Sequence, residues 1–233
     1  MQQPDPYGFL ITQIAQARFE GAPRAFKYAG REFIVYDGVF SPLQFRSTQI
    51  FTRNLRFAPG RSFLEIGCGA GVTAIVAALA GCRPVVATDI NPTAVHNARA
   101  NAWMHGVEEI VAVRQGDLFD VVNEGEFFET IYCNLPFVYV ATDYKYPDDF
   151  HKAVFDAGYA CHARYLKEAP LHLAPGGTLL LGFGSLGDER ILKRLAAEYG
   201  YGITTVASET SDAEGNPRYD LLELTKNTAG APH

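Results

Sequence analysis

The chain has 233 residues, 48% of them hydrophobic, and a formal net charge of -6. That supplies one sizeable core, and the acidic balance argues against an extended nucleic-acid surface, which depends on basic patches. No apolar run approaches the roughly 18 residues of a membrane span, and the start MQQPDPYGFL has neither the basic nor the apolar region of a secretory signal.

From the N-terminus, Gly8 to Glu20 carries Leu10, Ile14 and Ala17 on one helical face. Ala25 to Ala29 and Glu32 to Tyr36 alternate in polarity around Gly30-Arg31, the pattern of a hairpin. Residues 1–40 thus read as a helix-plus-hairpin cap. It either covers a sheet edge or closes as a lid, with Tyr7, Phe9, Phe26, Tyr28 and Tyr36 available to line it. Ser41-Pro42 precedes a helix predicted over Leu43 to Leu55, in which Ser47 and Thr48 either aim hydroxyls at the next motif or bond their own backbone.

From Arg61 strands and helices alternate. Strands are predicted at Ser62 to Ile66, Pro84 to Thr88, Ile110 to Arg114, Thr130 to Cys133, Gly177 to Phe183, Ile203 to Ala207 and Tyr219 to Leu224. Helices are predicted at Val72 to Ala80, Pro92 to His105, Ala157 to Leu173 and Gly187 to Tyr199. Asn91-Pro92 is a helix start, with Asn as cap and Pro at the first helical position. The alternation implies a doubly wound, mostly parallel seven-stranded sheet with helices on both faces. The last two strands are joined by SETSDAEGNPR with no helix, so a C-terminal hairpin adds one antiparallel strand. The expected division is a cap (1–40), a Rossmann-like catalytic domain (41–226) and a disordered tail (227–233).

FLEIGCGAG, Phe63 to Gly71, is the organising stretch: a buried strand, then a glycine turn that opens a helix. A nucleotide-like ligand is expected there, beyond the strand's carboxyl end. G-x-G-x-G is not the G-x-G-x-x-G that cradles a pyrophosphate, and Glu65 beside it suits a cationic ligand. Asp89, in VVATDINP with Ile90 next to it, lies about twenty residues further on, where an acid accepts ribose hydroxyls. Asp117, in QGDLFD, either forms a turn after Gly116 or accepts from an adenine amine with Leu118 or Phe119 against the ring. The strand ending IYCNLPF puts Asn134, Leu135, Pro136 and Phe137 in one turn. The Asn134 side-chain carbonyl and the Leu135 backbone carbonyl would take both hydrogens of a planar amino group and aim its lone pair. The four cysteines (Cys68, Cys82, Cys133, Cys161) have no C-x-x-C, and with the histidines they show no metal-ligand spacing. A reduced, metal-free, cytoplasmic protein is expected.

Glu65-Ile66-Gly67-Cys68-Gly69-Ala70-Gly71, Asp89, Asp117 and Asn134-Leu135-Pro136-Phe137, in this order, resemble the class I, Rossmann-fold S-adenosylmethionine-dependent methyltransferases over roughly Val39 to Leu224. The nearest branch is the methyltransferase small domain group, which includes glutamine N-methyltransferases and some rRNA guanine methyltransferases. There the fourth-strand motif is usually Asn-Pro-Pro-Phe or Asn-Pro-Pro-Tyr; Leu135 departs from it, and Asn-Leu-Pro-Tyr occurs in rRNA adenine dimethyltransferases. The resemblance implies S-adenosylmethionine as cofactor, with Glu65, Gly67, Cys68, Gly69 and Gly71 near its methionyl part. It further implies Asp89 on the ribose and Asp117 near the adenine; Ile90, Leu118, Thr48 and Asn134 are further candidates for binding the cofactor.

The loop after the motif is rich in aromatics. Phe155 and Tyr165 are expected in the core. Those near Phe137, Tyr139 among them, would surround a sulfonium, to which an aromatic face adds roughly 0.5–2 kcal/mol. His151 and His162 are expected at the surface or on a helix, and Asp143, Asp148 and Asp149 in a solvated loop. Two reactions are compatible with these residues. One is methyl transfer to nitrogen of a small molecule or a protein side chain. The other resembles the azetidine-2-carboxylate synthases, in which the amine of S-adenosylmethionine attacks its own γ-carbon and releases methylthioadenosine, with no second substrate. A non-catalytic relic and a nicotinamide dehydrogenase fit less well, because the glycines and Asp89 are intact and the spacing is wrong for a dinucleotide.

Overall fold

The computed structural model describes residues 8–211 and 217–227, without the side chain of Phe9. Tyr7, the tip of the C-terminal hairpin and the tail beyond Asn227 lie outside the described residues.

The chain opens with helix α1 (Gly8–Ala17) and a hairpin of β1 (Arg24–Tyr28) and β2 (Arg31–Val35). Helix α2 (Ser47–Asn54) follows, shorter than the sequence suggests because Pro42 to Gln44 form turns. Then come β3 (Phe63–Ile66), α3 (Val72–Leu79), β4 (Val85–Asp89), α4 (Pro92–Met104), β5 (Val111–Gln115) and β6 (Phe128–Cys133). Two three-residue strands, β7 (Val138–Val140) and β8 (Phe155–Ala157), pair in parallel after the asparagine motif and were not legible in the sequence. Between them lies a 3-10 turn, Asp149–Ala153. The chain ends with α5 (Ala160–Glu168), β9 (Leu173–Gly184), α6 (Glu189–Glu198), β10 (Tyr201–Thr210) and β11 (Arg218–Lys226).

The seven-stranded sheet has the order β10-β11-β9-β6-β3-β4-β5. Strands β9, β6, β3, β4 and β5 are parallel; β11 runs antiparallel between β9 and β10, as the helix-free connection predicts. From β3 the chain moves outward to β4 and β5, then crosses back to β6 on the other side of β3. This is the switch point where a crevice opens beyond the strand ends. Alternate residues of β3 serve opposite faces: Phe63 joins the cluster under α2, α3 and α4, while Leu64 and Ile66 join the one under α5 and α6.

The cap divides into two parts. Phe26, Phe33 and Val35 of the hairpin join the core cluster on the α4 side, and Tyr28 and Tyr36 pack against it. Two asparagines of α4 fasten this hairpin. Asn97 accepts from Tyr36 N at 2.9 Å and donates to Ile34 O; Asn101 accepts from Ile34 N at 2.9 Å and donates to Ile34 O and Ala70 O. The hairpin aromatics therefore do not line a lid: their side of the ribbon is taken by the core. Helix α1 instead packs Leu10, Ile14 and Ala17 on Phe45, Val138, Val140, Phe150, Val154 and Phe155, a third cluster beside the asparagine motif.

Phe155 and Tyr165 are core residues, as expected. His162 is on a helix but fully buried, not at the surface, because Asp156 of β8, itself buried, takes its Nδ1 at 2.7 Å. His151 is also buried and pairs through Nδ1 with Asp148 Oδ1 at 2.7 Å. Asp143, Asp148 and Asp149 are all exposed, as expected, and Asp148 also caps the 3-10 turn by accepting from His151 N.

Removing the Asn101 amide strands polar atoms on Ile34 and Ala70 in the interior. At about 1–3 kcal/mol for each buried group left unpaired, Asn101→Ala should lose about 2–4 kcal/mol in urea unfolding, with the hairpin the first segment to lose hydrogen-exchange protection.

Candidate active site

A cavity of about 800 Å³ opens at the switch point, large for the roughly 300–1,000 Å³ of small-molecule sites. Glu65, Gly67, Cys68, Gly69, Asp89, Ile90, Asp117, Leu118, Thr48 and Asn134 to Phe137 all line it. Two of the predicted site residues do not. Gly71 is a packing glycine: a Cβ there would meet Ala98 Cβ at 2.9 Å, so it sets the approach of α3 to α4. Tyr139 turns its ring edge to Tyr159, centroids 5.2 Å apart.

The glycine turn is held from below by two carboxylates. Asp89 Oδ2 accepts from Gly69 N at 2.8 Å and Oδ1 from Asn91 N at 2.9 Å. Gly67 and Gly69 have positive φ, and a Cβ at Gly67 would meet no atom within 4 Å, so the turn leaves open space above it. Glu65 points to the α3 side, where Oε2 accepts from Ala74 N at 2.8 Å and Thr73 also bonds the carboxyl. Thr73 is fixed in turn by Thr52 of α2, oxygen to oxygen 2.9 Å. Burial pushes the Glu65 carboxyl up to about 8, with the Asp89 charge adding to it and the Thr73 and Ala74 bonds opposing it. Burial also raises Asp89, against its two backbone donors.

At the far end of β4, Thr88 Oγ1 donates to Leu118 O at 3.1 Å and holds Leu118 at φ 52. A non-glycine residue in that region costs about 1–3 kcal/mol and is found where a loop serves a ligand. Asp117 Oδ2 accepts from Arg164 Nη1 at 2.6 Å, and Arg164 also reaches Asp120 and Glu168, which keeps this loop against α5.

The asparagine motif is held from both sides. Asn134 Nδ2 donates to Ser47 Oγ at 3.2 Å, while its Oδ1 is buried without a hydrogen-bond partner. An orphaned buried acceptor costs free energy unless something donates to it. Three residues on, the Phe137 carbonyl accepts from Tyr159 Oη at 2.7 Å, and the same Oη accepts from Asp188 N at 2.8 Å. Tyr159, fully buried at φ 54, thus clamps the motif to the start of α6. Phe137 touches all three apolar clusters. Sequence reasoning missed Tyr159, Thr73, Phe40 and Phe45, because no local pattern distinguishes them from core residues.

The sequence of this site has known relatives. The methyltransferase small domain profile matches residues 30–199. The chain belongs to this family. A Methanocaldococcus jannaschii protein provisionally named protein N5-glutamine methyltransferase is 30% identical over 164 residues, covering 69% of this chain and 80% of its own. A ribosomal protein methyltransferase of Burkholderia orbicola is 45% identical over 69 residues, which span 30% of this chain but only 21% of that protein. Among solved structures, an M. jannaschii tRNA methyltransferase superposes with a TM-score of 0.61 at 16% identity, over 90% of this chain and 58% of its own. A T. thermophilus 16S rRNA methyltransferase in complex with AdoMet and guanosine gives 0.57 at 19%, over 88% and 50%. These two show the shared fold.

The chain is a class I S-adenosylmethionine-dependent methyltransferase. The residues present fit that cofactor: an open glycine turn, a buried acid that gains from a cation, and an orphaned acceptor face one cavity. Within the described residues no helix is long and apolar enough to cross a membrane.

The raised Glu65 carboxyl carries a stability signature. The folded state keeps its proton up to about pH 8, whereas an unfolded glutamate loses it near 4.5. Stability from this group is therefore complete below the unfolded value and is lost as pH rises through the folded one. In urea unfolding of the ligand-free protein from pH 5 to 8, wild type should lose about 1 kcal/mol per pH unit relative to Glu65→Gln. A pH-independent difference would show that Glu65 is ionised throughout.

Proposed function

We propose that this chain transfers the methyl group of S-adenosylmethionine to a nitrogen atom of a small molecule or a protein side chain. The observation that carries this reading is the buried Oδ1 of Asn134, which has no hydrogen-bond partner among the described residues, on a residue that lines the cavity with Leu135 and Pro136. A nitrogen bearing hydrogens is what such an acceptor binds, and the bond orients the nitrogen lone pair. The glutamine named for the M. jannaschii relative is one acceptor with such a group.

In this reading the chain positions and the cofactor supplies an electrophilic methyl. Asp89 takes the ribose hydroxyls with the lone pairs not used by Gly69 and Asn91. Glu65, which lines the same cavity, would stand near the cationic methionyl end. Leu118 and Asp117 flank the adenine. Phe137 and Pro136 exclude water beside the reacting nitrogen.

Two measurements test it. Incubation with S-adenosylmethionine alone, then with a cell extract, should yield S-adenosylhomocysteine only with extract, by mass spectrometry. Methylthioadenosine and azetidine-2-carboxylate formed without extract, above the no-enzyme control, would replace the proposal with intramolecular cyclisation. Asn134→Ala should lower kcat by about a hundredfold, the order of a lost positioning contact, and leave cofactor affinity within about threefold, less than 1 kcal/mol. Collapse of cofactor binding would instead assign the asparagine to the cofactor's own amine.

A further inference from the structure

Besides the residues assigned to S-adenosylmethionine, the cavity is lined by Leu10 and Gln13 of α1, Phe40 and Phe45 before α2, and Phe150 and Val154 of the segment between β7 and β8. Leu10, Phe45, Phe150 and Val154 belong to the third apolar cluster, distinct from those on the two sheet faces. Phe40 and Phe45 are stacked with centroids 4.5 Å apart. This wall and Asn134, whose buried Oδ1 has no partner among the described residues, line one cavity.

We propose that this space is an acceptor chamber roofed by α1, and that its acceptor is a small amine on an aromatic or apolar frame. The inference rests on the nitrogen-directed reading above and narrows it. Three observations carry it. The chamber offers aromatic and aliphatic surface with one buried unpaired acceptor, a combination that holds an apolar body and orients one N–H group. The cations that line it are taken up by acids: Arg18 Nη1 lies 3.3 Å from Asp148 Oδ2 and its Nε 3.5 Å from Asp37 Oδ1, and Lys152 Nζ lies 2.7 Å from Asp149 Oδ1. Among the described residues no surplus of positive charge is left there to steer a polyanion. Helix α1 is also seated through buried Leu10, Ile14 and Ala17 and lends Leu10 and Gln13 to the cavity wall, a setting that suits a small molecule better than the loop of a folded protein.

Within the chamber the amine nitrogen forms the new N–C bond with its lone pair as the methyl–sulfur bond breaks. That bond's electron pair stays on the sulfur, giving S-adenosylhomocysteine, and the proton of the product ammonium passes to solvent. Asn134 Oδ1 fixes the nitrogen by accepting one of its hydrogens.

The test is calorimetric titration of the full chain, saturated with S-adenosylhomocysteine, with tyramine, tryptamine and benzylamine. Methylamine and the pentapeptide Ala-Ala-Gln-Ala-Ala serve as comparisons. At least one aromatic amine should bind about tenfold more tightly than either comparison. Ala153→Trp, at the exposed mouth of the chamber and outside the apolar cluster, should weaken that amine about tenfold while S-adenosylhomocysteine affinity stays within about twofold. The chamber is refuted if the peptide binds as tightly as the amines, if no aromatic amine binds, or if Ala153→Trp leaves amine affinity unchanged. Failure of the underlying reading looks different: S-adenosylhomocysteine itself does not bind, or methylthioadenosine forms from S-adenosylmethionine alone.

Discussion

Two carboxylates, Glu65 buried and Asp89 half-buried, lie beneath a glycine turn, and the shape of the cavity depends on them. Asp89 ties the turn to the end of β4 through Gly69 N, and Glu65 ties β3 to the first turn of α3 through Ala74 N. Burial raises the proton affinity of Glu65 and the nearby Asp89 charge adds to it, because two negative charges in a low-dielectric interior repel, while the Thr73 and Ala74 bonds oppose the shift. In the ligand-free protein the protonated Glu65 relieves that repulsion. A cationic ligand relieves it differently, by supplying the missing charge, and so the same pair that shapes the turn favours a positively charged occupant over a phosphate. This explains in physical terms why G-x-G-x-G after an acid and G-x-G-x-x-G after none serve different ligands on one architecture.

Much of this was legible in the chain because its signals are local. Each sheet strand is a short apolar run bounded by Gly, Pro or Asn, and Asn91-Pro92 fixes the start of α4 without reference to the rest of the molecule. Asp89 and the Asn134 motif could be placed at strand ends for the same reason. What escaped is set by contacts far apart in sequence. The hairpin aromatics look like lid residues until Asn97 and Asn101 are seen to fasten the ribbon to α4. His162 looks like an exposed helix residue until β8 is placed, since only that strand brings Asp156 under it. Gly71 reads as one more ligand glycine, and only the packing of α3 on α4 shows that Ala98 leaves it no room for a side chain.

The asparagine motif is where local and distant constraints meet. Ser47 of α2 orients the amide, Tyr159 at the start of α5 holds the Phe137 carbonyl, and Asp188 at the start of α6 donates to the same hydroxyl. The motif is thus fixed by three helices from three parts of the chain. Such a turn is rigid enough to keep one acceptor unpaired in the interior, and that is the state in which it can discriminate a donor. A looser turn would rotate Asn134 to satisfy itself, and the selectivity proposed for it would be lost.

Phe137 gives this rigidity a direction. Its ring packs against both sheet-face clusters and against the cluster under α1. The roof and the motif therefore share a side chain, and the seating of α1 is felt at the residue next to the proposed reacting nitrogen. The ties at the roof's edge are weak by comparison. Arg18 reaches Asp148 at 3.3 Å and Asp37 at 3.5 Å with close to half its side chain exposed, and pairs of this kind contribute roughly 0–1 kcal/mol. The roof is thus held mainly by apolar burial and only lightly by charge, and its packing continues through Phe137 to both sheet faces. The wall of the cavity and the order of the motif are for that reason two consequences of one packing arrangement.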